Sequence, residues 1–452
     1  MEVSTLLQLA VMVALGAPAM LLATLIVALL IQRSPREVFV AVLTQTSLWL
    51  SFFATMVALV LFFASGAKPT VASYGSWFSA GKVGFKFDFL IDGWSLGFAT
   101  LLSGICVIVA AFSGRYLHRE TGYHRYFVLL ALFVVGMLLV ALAGSIEVLF
   151  AGWELIGLSS ALLVGFFHER AASVANAFRV MVVYRVGDTA MLSAAVLVHH
   201  WAGSGSLSLL FSGHPETSST LSLTQATVIA VLLIAAVAAK SALLPFSGWL
   251  PRAMEGPTPS SAVYYGALSV HAGCFLLLRA QPLLEQSPLA RGLAVLAGAS
   301  TALYATLTAR VQTDVKSALA YASLTQVGFI VVEIALGLQI IAFVHMIGNA
   351  CLRLLQFLSA SNALHDLRSV ENALGTYLNS AQVRDIRTKP AAYRRLYLFA
   401  LERGFIDPLM ECFIVIPFTR IAAFMDHVDR VLSGDHDTLR AKIFPKGNHH
   451  HE

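Results

Sequence analysis

Charge is scarce in this chain. Only 12% of its 452 residues are Asp, Glu, Lys or Arg, while 58% are hydrophobic and the mean hydropathy is +0.76. A soluble domain carries about a quarter charged residues, so an ordinary soluble protein is excluded. Cysteine is scarcer still. Cys106, Cys274, Cys351 and Cys412 stand far apart, without a C-x-x-C or the Cys/His spacing of a metal site. They read as small hydrophobes. A Walker A motif, a G-x-G-x-x-G inside a strand–helix unit and a G-x-S-x-G are all missing. A nucleotide-driven pump or a dinucleotide-binding enzyme is therefore unsupported, and energy, if used, comes from an ion gradient or a partner.

Long apolar runs fill the space that charge leaves. A spanning helix needs roughly 20 apolar residues, and such stretches occur near 6–31, 38–64, 94–112, 126–143, 146–166, 173–200, 222–250, 260–280, 291–310, 317–335 and 338–360. The fold class is an all-α polytopic membrane protein of about 11–12 transmembrane helices. The opening MEVST has no basic region before the first span, which predicts a retained helix.

Lysine and arginine set the orientation. Loops with Arg33 and Arg36, with Arg115, Arg119 and Arg125, with Arg170, with Arg252, and with Arg310 and Lys316 alternate with poorer ones, and 201–222 has neither residue type. The 65–92 loop is the exception, with Lys68, Lys82 and Lys86. Threading places the N-terminus outside and everything after residue 360 inside, where Arg368, Arg384, Arg387, Lys389, Arg394 and Arg395 fall. The net charge of +5 thus reflects topology and anionic lipid and gives no reason to invoke nucleic acid. Within 82–92, KVGFKFDFLID alternates as a short strand would and predicts an outer hairpin.

Three regions follow. Residues 1–80 hold N-terminal helices and an outer loop, 81–365 a helical core, and 366–452 a cytoplasmic or interfacial segment. In the last, Glu402, Arg403, Asp407 and Glu411 interrupt the apolar residues. An interfacial helix, a twelfth span packed on protein and a platform for a partner all fit it.

The remaining chemistry lies in charges within spans, which are costly there and mark function or pairing. Glu147 and Glu154, in SIEVLFAGWELIG, are seven apart and share a helix face. Glu147 reads as interfacial, whereas Glu154 sits near the middle of its span. Arg185 and Asp188 are three apart, placed either to pair along their helix or to face Glu154 and extend a polar track. Lys240 ends an apolar run before Ser241 and Pro245, in a discontinuous helix near 240–250. Broken helices at mid-membrane line enclosed or wet cavities and recur as ion sites in transporters. His271 lies one helix later, and His345, Asn349 and Arg353 recur at i, i+4 and i+8 on one face. They read equally as packing residues or as a relay. A buried ammonium is disfavoured by desolvation and favoured by a nearby carboxylate. A Glu154–Lys240 pair of changing separation or hydration would therefore take up and release a proton.

The same residues carry a family resemblance. GWELIG at 152–157, Lys240 before a broken helix, AMEGPTP at 253–259 and QTDVKSALAYASLTQVG at 312–328 resemble the antiporter-like membrane subunits of respiratory complex I and of multisubunit cation/proton antiporters. The resemblance covers about residues 85–360. It implies inverted helical repeats, an antiporter-like proton-channel core in 81–365, and a bacterial inner-membrane location. It makes Glu154 and Lys240 a coupled pair; the residues themselves add Arg185, Asp188, His271, His345, Lys316 and Arg353 as further ion-translocation candidates.

Tyr265, Asn349 and Arg353 stand where complex I subunits carry His, His and Lys, and SVHAG, ACLRLLQFL and LYLFALERG are instead similar to DabB, the membrane subunits of two-component inorganic carbon transporters. That resemblance implies ion-driven, one-way CO2 hydration and bicarbonate accumulation. Catalysis would lie in a DabA-like large peripheral zinc protein on the cytoplasmic face, and this chain would carry no cofactor of its own. The alternatives are a proton-translocating subunit of a redox complex or antiporter, and a scaffold whose buried charges only fix packing.

Overall fold

The computed structural model describes residues 3–32, 35–80, 83–211, 221–312, 314–374 and 390–433. Arg33, Lys82, Arg384, Arg387 and Lys389 lie outside them. Twelve helices among the described residues are long and apolar enough to cross a membrane. In chain order they begin α1 Val3–Leu30, α2 Glu37–Ala64, then the antiparallel hairpin β1 Thr70–Ala80 and β2 Val83–Ile91. α3 Gly93–Tyr116, α4 Tyr123–Leu142, α5 Ile146–Val164, α6 Ala171–Ala202 and α7 Leu223–Lys240 follow. After a break come α8 Thr258–Arg279, α9 Pro288–Ala309, α10 Val315–Ala335 and α11 Gln339–Leu374. The C-terminal elements are α12 Ala391–Leu401 and α13 Arg403–Leu432.

Local chemistry sets these boundaries. Asp92, Ser145 and Asp314 each accept a backbone N–H three residues on, which satisfies donors left over at a helix start. Ser222 and Gln225 form a reciprocal capping box at α7. Small residues then let helices close. Gly136 faces Gly152 where α4 meets α5, and a Cβ at Gly152 would lie 2.6 Å from the Gly136 carbonyl. Gly298 and Gly328 do the same for α9 and α10. In lipid, where hydrophobicity does not drive helices together, such close backbone approach supplies the packing.

Two ends can be told apart. The hairpin sits with the start of α5, since Ser145 Oγ donates to the Lys86 carbonyl at 3.0 Å and the Gly144 N–H donates to the Asp88 carbonyl at 2.8 Å. The opposite end collects Arg125, Arg170, Arg252 and Lys316, and the positive-inside rule makes it the inner one.

The break is where expectation and structure differ in detail. The apolar run over 222–250 was expected to hold a discontinuous helix near 240–250, and α7 stops at Lys240 itself, with Ala242 at a left-handed φ of 56°. Proline disfavours helix at the residue before it, and the chain has already turned by then. Freed backbone groups are satisfied by protein. The Trp249 indole donates to the Ala239 carbonyl at 3.0 Å, and the Leu244 N–H donates to Thr301 Oγ1 at 2.9 Å. Irregular backbone at membrane depth requires such partners.

α13 is long and apolar enough to be a span, which agrees with the twelfth span that the sequence left open beside an interfacial helix and a partner platform. None of its side chains from Ile416 to Leu432 is buried in this chain. Its first turns are clamped to the inner end, where Arg252 donates to Asp407 at 2.8 Å and Arg179 to Glu411 at 2.9 Å. Tyr304 Oη also donates to the Arg403 carbonyl at 3.0 Å.

Candidate ion-coupling site

Lys240 is 1% exposed at the end of α7. Its ammonium donates to the Trp153 carbonyl at 3.1 Å and lies 4.0 Å from Asp188 Oδ1. The Trp153 and Tyr184 rings flank it, with centroids 4.9 and 4.4 Å away. Such rings stabilise a desolvated cation by about 2 kcal/mol each. Arg185 then bridges two acids, donating to Glu154 at 2.6 Å and standing 2.8 Å from Asp188 Oδ2 as an ion pair. The result is an alternating chain, Glu154–Arg185–Asp188–Lys240, without net formal charge. Arg185 both pairs along its helix and faces Glu154, so both readings of it hold at once. A direct Glu154–Lys240 contact does not form, because two charged residues stand between them.

Glycines make the site possible. A Cβ at Gly157, the last residue of GWELIG, would sit 3.0 Å from Lys240 Nζ, and one at Gly187 would sit 2.6 Å from Ala239 Cβ. The first leaves room for the ammonium and the second brings α6 and α7 close enough for Asp188 to reach it. Glu154 and Arg185 remain 26% and 35% exposed at mid-membrane depth, between the exposed Leu158 on α5 and Met181 on α6.

A second cluster joins α8, α10 and α11. Arg353 Nε donates to Asn349 Oδ1 at 3.3 Å, which turns the Asn349 amide nitrogen toward His271 Nε2 at 3.0 Å. The imidazole therefore accepts at Nε2 and carries its proton on Nδ1. Arg353 also donates to Gln356 at 2.5 Å and to the Ala322 carbonyl at 3.1 Å. His345 is not part of this cluster. Its Nδ1 lies 2.9 Å from Glu333 Oε1 and its Nε2 lies 2.9 Å from Gln326 Oε1. Tyr265 is buried and donates to the Ser160 carbonyl at 3.0 Å.

Lys316 is placed elsewhere again. It donates to the Gly256 carbonyl at 3.4 Å, beside an inner cavity of about 640 Å³ lined also by Arg252, Glu255 and Asp314. The sequence reading missed Trp153, Tyr184 and Glu333. Glu333 alone carried a usable signal, as an acid inside an apolar run. Among the described residues no group of three His, Cys, Asp or Glu side chains is arranged to hold a metal.

A charged chain at the break of a membrane helix, within this bundle, defines a multi-pass inner-membrane protein of antiporter-like fold. Residues 143–382 match the NADH:quinone oxidoreductase/Mrp antiporter transmembrane family, and 77–127 match the complex I chain 5 N-terminus. The chain belongs to that antiporter-like family. It is 34% identical over 310 residues to chloroplastic NAD(P)H-quinone oxidoreductase subunit 5 of Physcomitrium patens, covering 68% of this chain and 42% of that one. It is 32% identical over 328 residues to NADH-quinone oxidoreductase subunit L of Escherichia coli K12, covering 72% and 53%. The chain spans about half the length of the curated relatives it matches. Among solved structures, the Mrp complex from Dietzia sp. DQ12-45-1b aligns with a TM-score of 0.66 at 30% identity, covering 85% of this chain and 40% of that one. The archaeal membrane-bound sulfane sulfur reductase aligns with a TM-score of 0.67 at 18% identity, covering 89% and 88%, which is a likeness of fold.

Proposed function

We propose that this chain is a proton-translocating, antiporter-like subunit of a larger membrane complex. The observation that carries the proposal is the chain Glu154–Arg185–Asp188–Lys240 at the end of a broken helix. Each link changes strength when its neighbour gains or loses a proton, and the break places the ammonium at the end of a helix, a recurrent setting for ion sites in transporters. Glu154 and Lys240 are the ends of the chain, and Arg185 and Asp188 carry the coupling between them. His271, His345 and Arg353 would continue the path toward α11, and Lys316 would serve the inner mouth. Membership in a family with Mrp and complex I subunits supports this role.

A partly exposed ion pair at mid-membrane depth is costly in lipid. The exposed Glu154–Arg185 face of α5 and α6 therefore supports a membrane partner that covers it. The direct test is to purify the complex from its native membrane, reconstitute it in liposomes and follow proton flux with a trapped dye. Glu154→Gln and Lys240→Met should each abolish flux, and persistence of flux in both would end the proposal.

Inorganic carbon uptake is the finer reading of the same role. Tyr265 and Arg353 favour it, since they occupy positions where complex I subunits carry His and Lys. In that case a DabA-like zinc protein on the cytoplasmic face would hydrate CO2, and this chain would drive the step one way. A zinc assay on the purified complex decides the matter. Zinc in fixed ratio with a large soluble partner supports it, whereas flavin, iron–sulfur or antiporter subunits assign the chain to a redox complex or antiporter.

A further inference from the structure

Glu147 and His199 take no part in the chain described above. Glu147 opens α5, His199 lies in the last turn of α6, and Nε2 meets Oε1 at 2.5 Å with the side chains only 16% and 12% exposed. The outer end folds around this pair. The Ile146 N–H donates to the Gly205 carbonyl at 2.8 Å, and the Leu207 N–H donates to the Gly144 carbonyl at 2.9 Å, which ties the loop after α6 to the start of α5. A Cβ at Gly205 would fall 2.6 Å from Glu147 Oε1 and 2.7 Å from His199 Nε2. Glycine at this position lets the loop backbone close directly over the pair.

A cavity of about 490 Å³ opens beside them, with Lys86, Asp88, Ser145 and Ser206 in its walls. Asp88 is engaged by the Ser73 hydroxyl at 2.6 Å, and His200 is exposed on the next position of α6. A carboxylate in contact with an imidazole, both withdrawn from bulk water at the mouth of a polar cavity, is built to accept and pass on a proton. Glu147 also stands two helical turns from Glu154 on one face of α5, a rise of about 10 Å. That gap corresponds to about three hydrogen-bonded carriers at ordinary spacing.

We propose that Glu147 and His199 form the outer proton port of the ion chain. A proton from the outer medium adds to the pair, and one proton then passes along α5 to Glu154, so the pair returns to its starting charge. The proposal rests on the proton-translocating role assigned above.

The test uses the complete complex in liposomes, with proton flux initiated from the outer side. Glu147→Gln and His199→Gln should each lower flux by at least about tenfold, and the double variant should fall no further than the worse single, because the two act as a unit. Gly205→Ala should act in the same direction without removing a titratable group. Ser204→Cys should be labelled by a membrane-impermeant thiol reagent added outside, with the wild-type chain as blank. If Glu147→Gln and His199→Gln keep wild-type flux while Glu154→Gln abolishes it, the port is overturned and the coupling role stands. If Glu154→Gln also keeps wild-type flux, the coupling role falls and the port with it. Protection of the Ser204→Cys thiol until detergent is added would overturn the port by itself.

Discussion

Lys240 faces Asp188, and Arg185 holds Asp188 to Glu154. The ammonium lies 4.0 Å from Asp188 Oδ1, while Glu154 is bound to the Arg185 guanidinium at 2.6 Å. The residue that neutralises the buried lysine is therefore the one carboxylate that its own surroundings hide most, at 5% side-chain exposure. This ordering separates a stability role for Asp188 from the transfer role proposed for Glu154.

Asp188→Asn should consequently be the most destabilising single change in the chain. It leaves a buried ammonium without its nearest carboxylate, and breaking a buried pair from one side costs about 3–5 kcal/mol. Glu154→Gln removes an acid at the partly exposed end, so it should abolish flux at little cost in stability. Thermal unfolding in detergent, read beside flux, checks the contrast. Equal destabilisation by the two variants would contradict it.

Gly157→Ala separates function from folding in another way. The added methyl group would meet the far end of a flexible side chain, Lys240 Nζ, 3.0 Å away. The ammonium can yield, so the melting temperature should stay near that of wild type. Moving it changes its distance to Asp188 and to the Trp153 carbonyl, and flux should fall by about tenfold or more. Gly16→Ala, with nothing within 4 Å of the new methyl, is the matching neutral control.

Much of the bundle was legible in the sequence because membrane depth imposes a single requirement, about 20 apolar residues per helix. The spans read at 126–143 and 291–310 correspond to α4 at Tyr123–Leu142 and α9 at Pro288–Ala309. The hairpin was legible for the same kind of reason, since the alternation in KVGFKFDFLID fits β2. Partner choice was not legible. Nothing in a one-dimensional spacing says that Arg185 stands between Glu154 and Lys240, because that depends on how closely Gly187 lets α6 approach α7. The exact stop of α7 was hidden too, since Pro245 draws attention five residues past the point where the helix ends. The sequence pointed to His345 as kin to Asn349 and Arg353 through their i, i+4 and i+8 spacing. A long imidazole reach toward Glu333 and Gln326 instead gives it separate company.

Arg353→Lys tests whether the second cluster depends on geometry or on charge. Arginine here donates in three directions, to Asn349, Gln356 and the Ala322 carbonyl. Lysine keeps the charge but loses the planar fork, so the Asn349 amide is freed to rotate and its bond to His271 weakens. Flux should drop, and the His271 ring signals in nuclear magnetic resonance should show exchange between tautomers. Unchanged flux with a single sharp tautomer would show that the fork does not orient this cluster.

The clamp at the inner end makes the last prediction. Asp407 accepts from Arg252 at 2.8 Å and lies 3.9 Å from Arg403, and a Cβ at Gly248 would stand 2.5 Å from its Oδ1. One carboxylate thus fastens the start of α13 to the short stretch that follows the break in α7. No side chain from Ile416 to Leu432 is buried in this chain, so α13 is held mainly at its first turns, by Asp407, by Glu411 with Arg179 and by the Tyr304 bond to the Arg403 carbonyl. Asp407→Ala should therefore release residues 403–433 while the rest of the bundle keeps its melting temperature, and trypsin should cut sooner at Arg420 and Arg430. Gly248→Ala should give the same pattern by pushing the carboxylate away. Arg252, stripped of its acid, would also stand closer in effect to Lys316 and Arg170 around the inner cavity, so ion flux should fall together with protease resistance. Protease resistance that survives both substitutions would show that α13 is held by contacts other than this carboxylate.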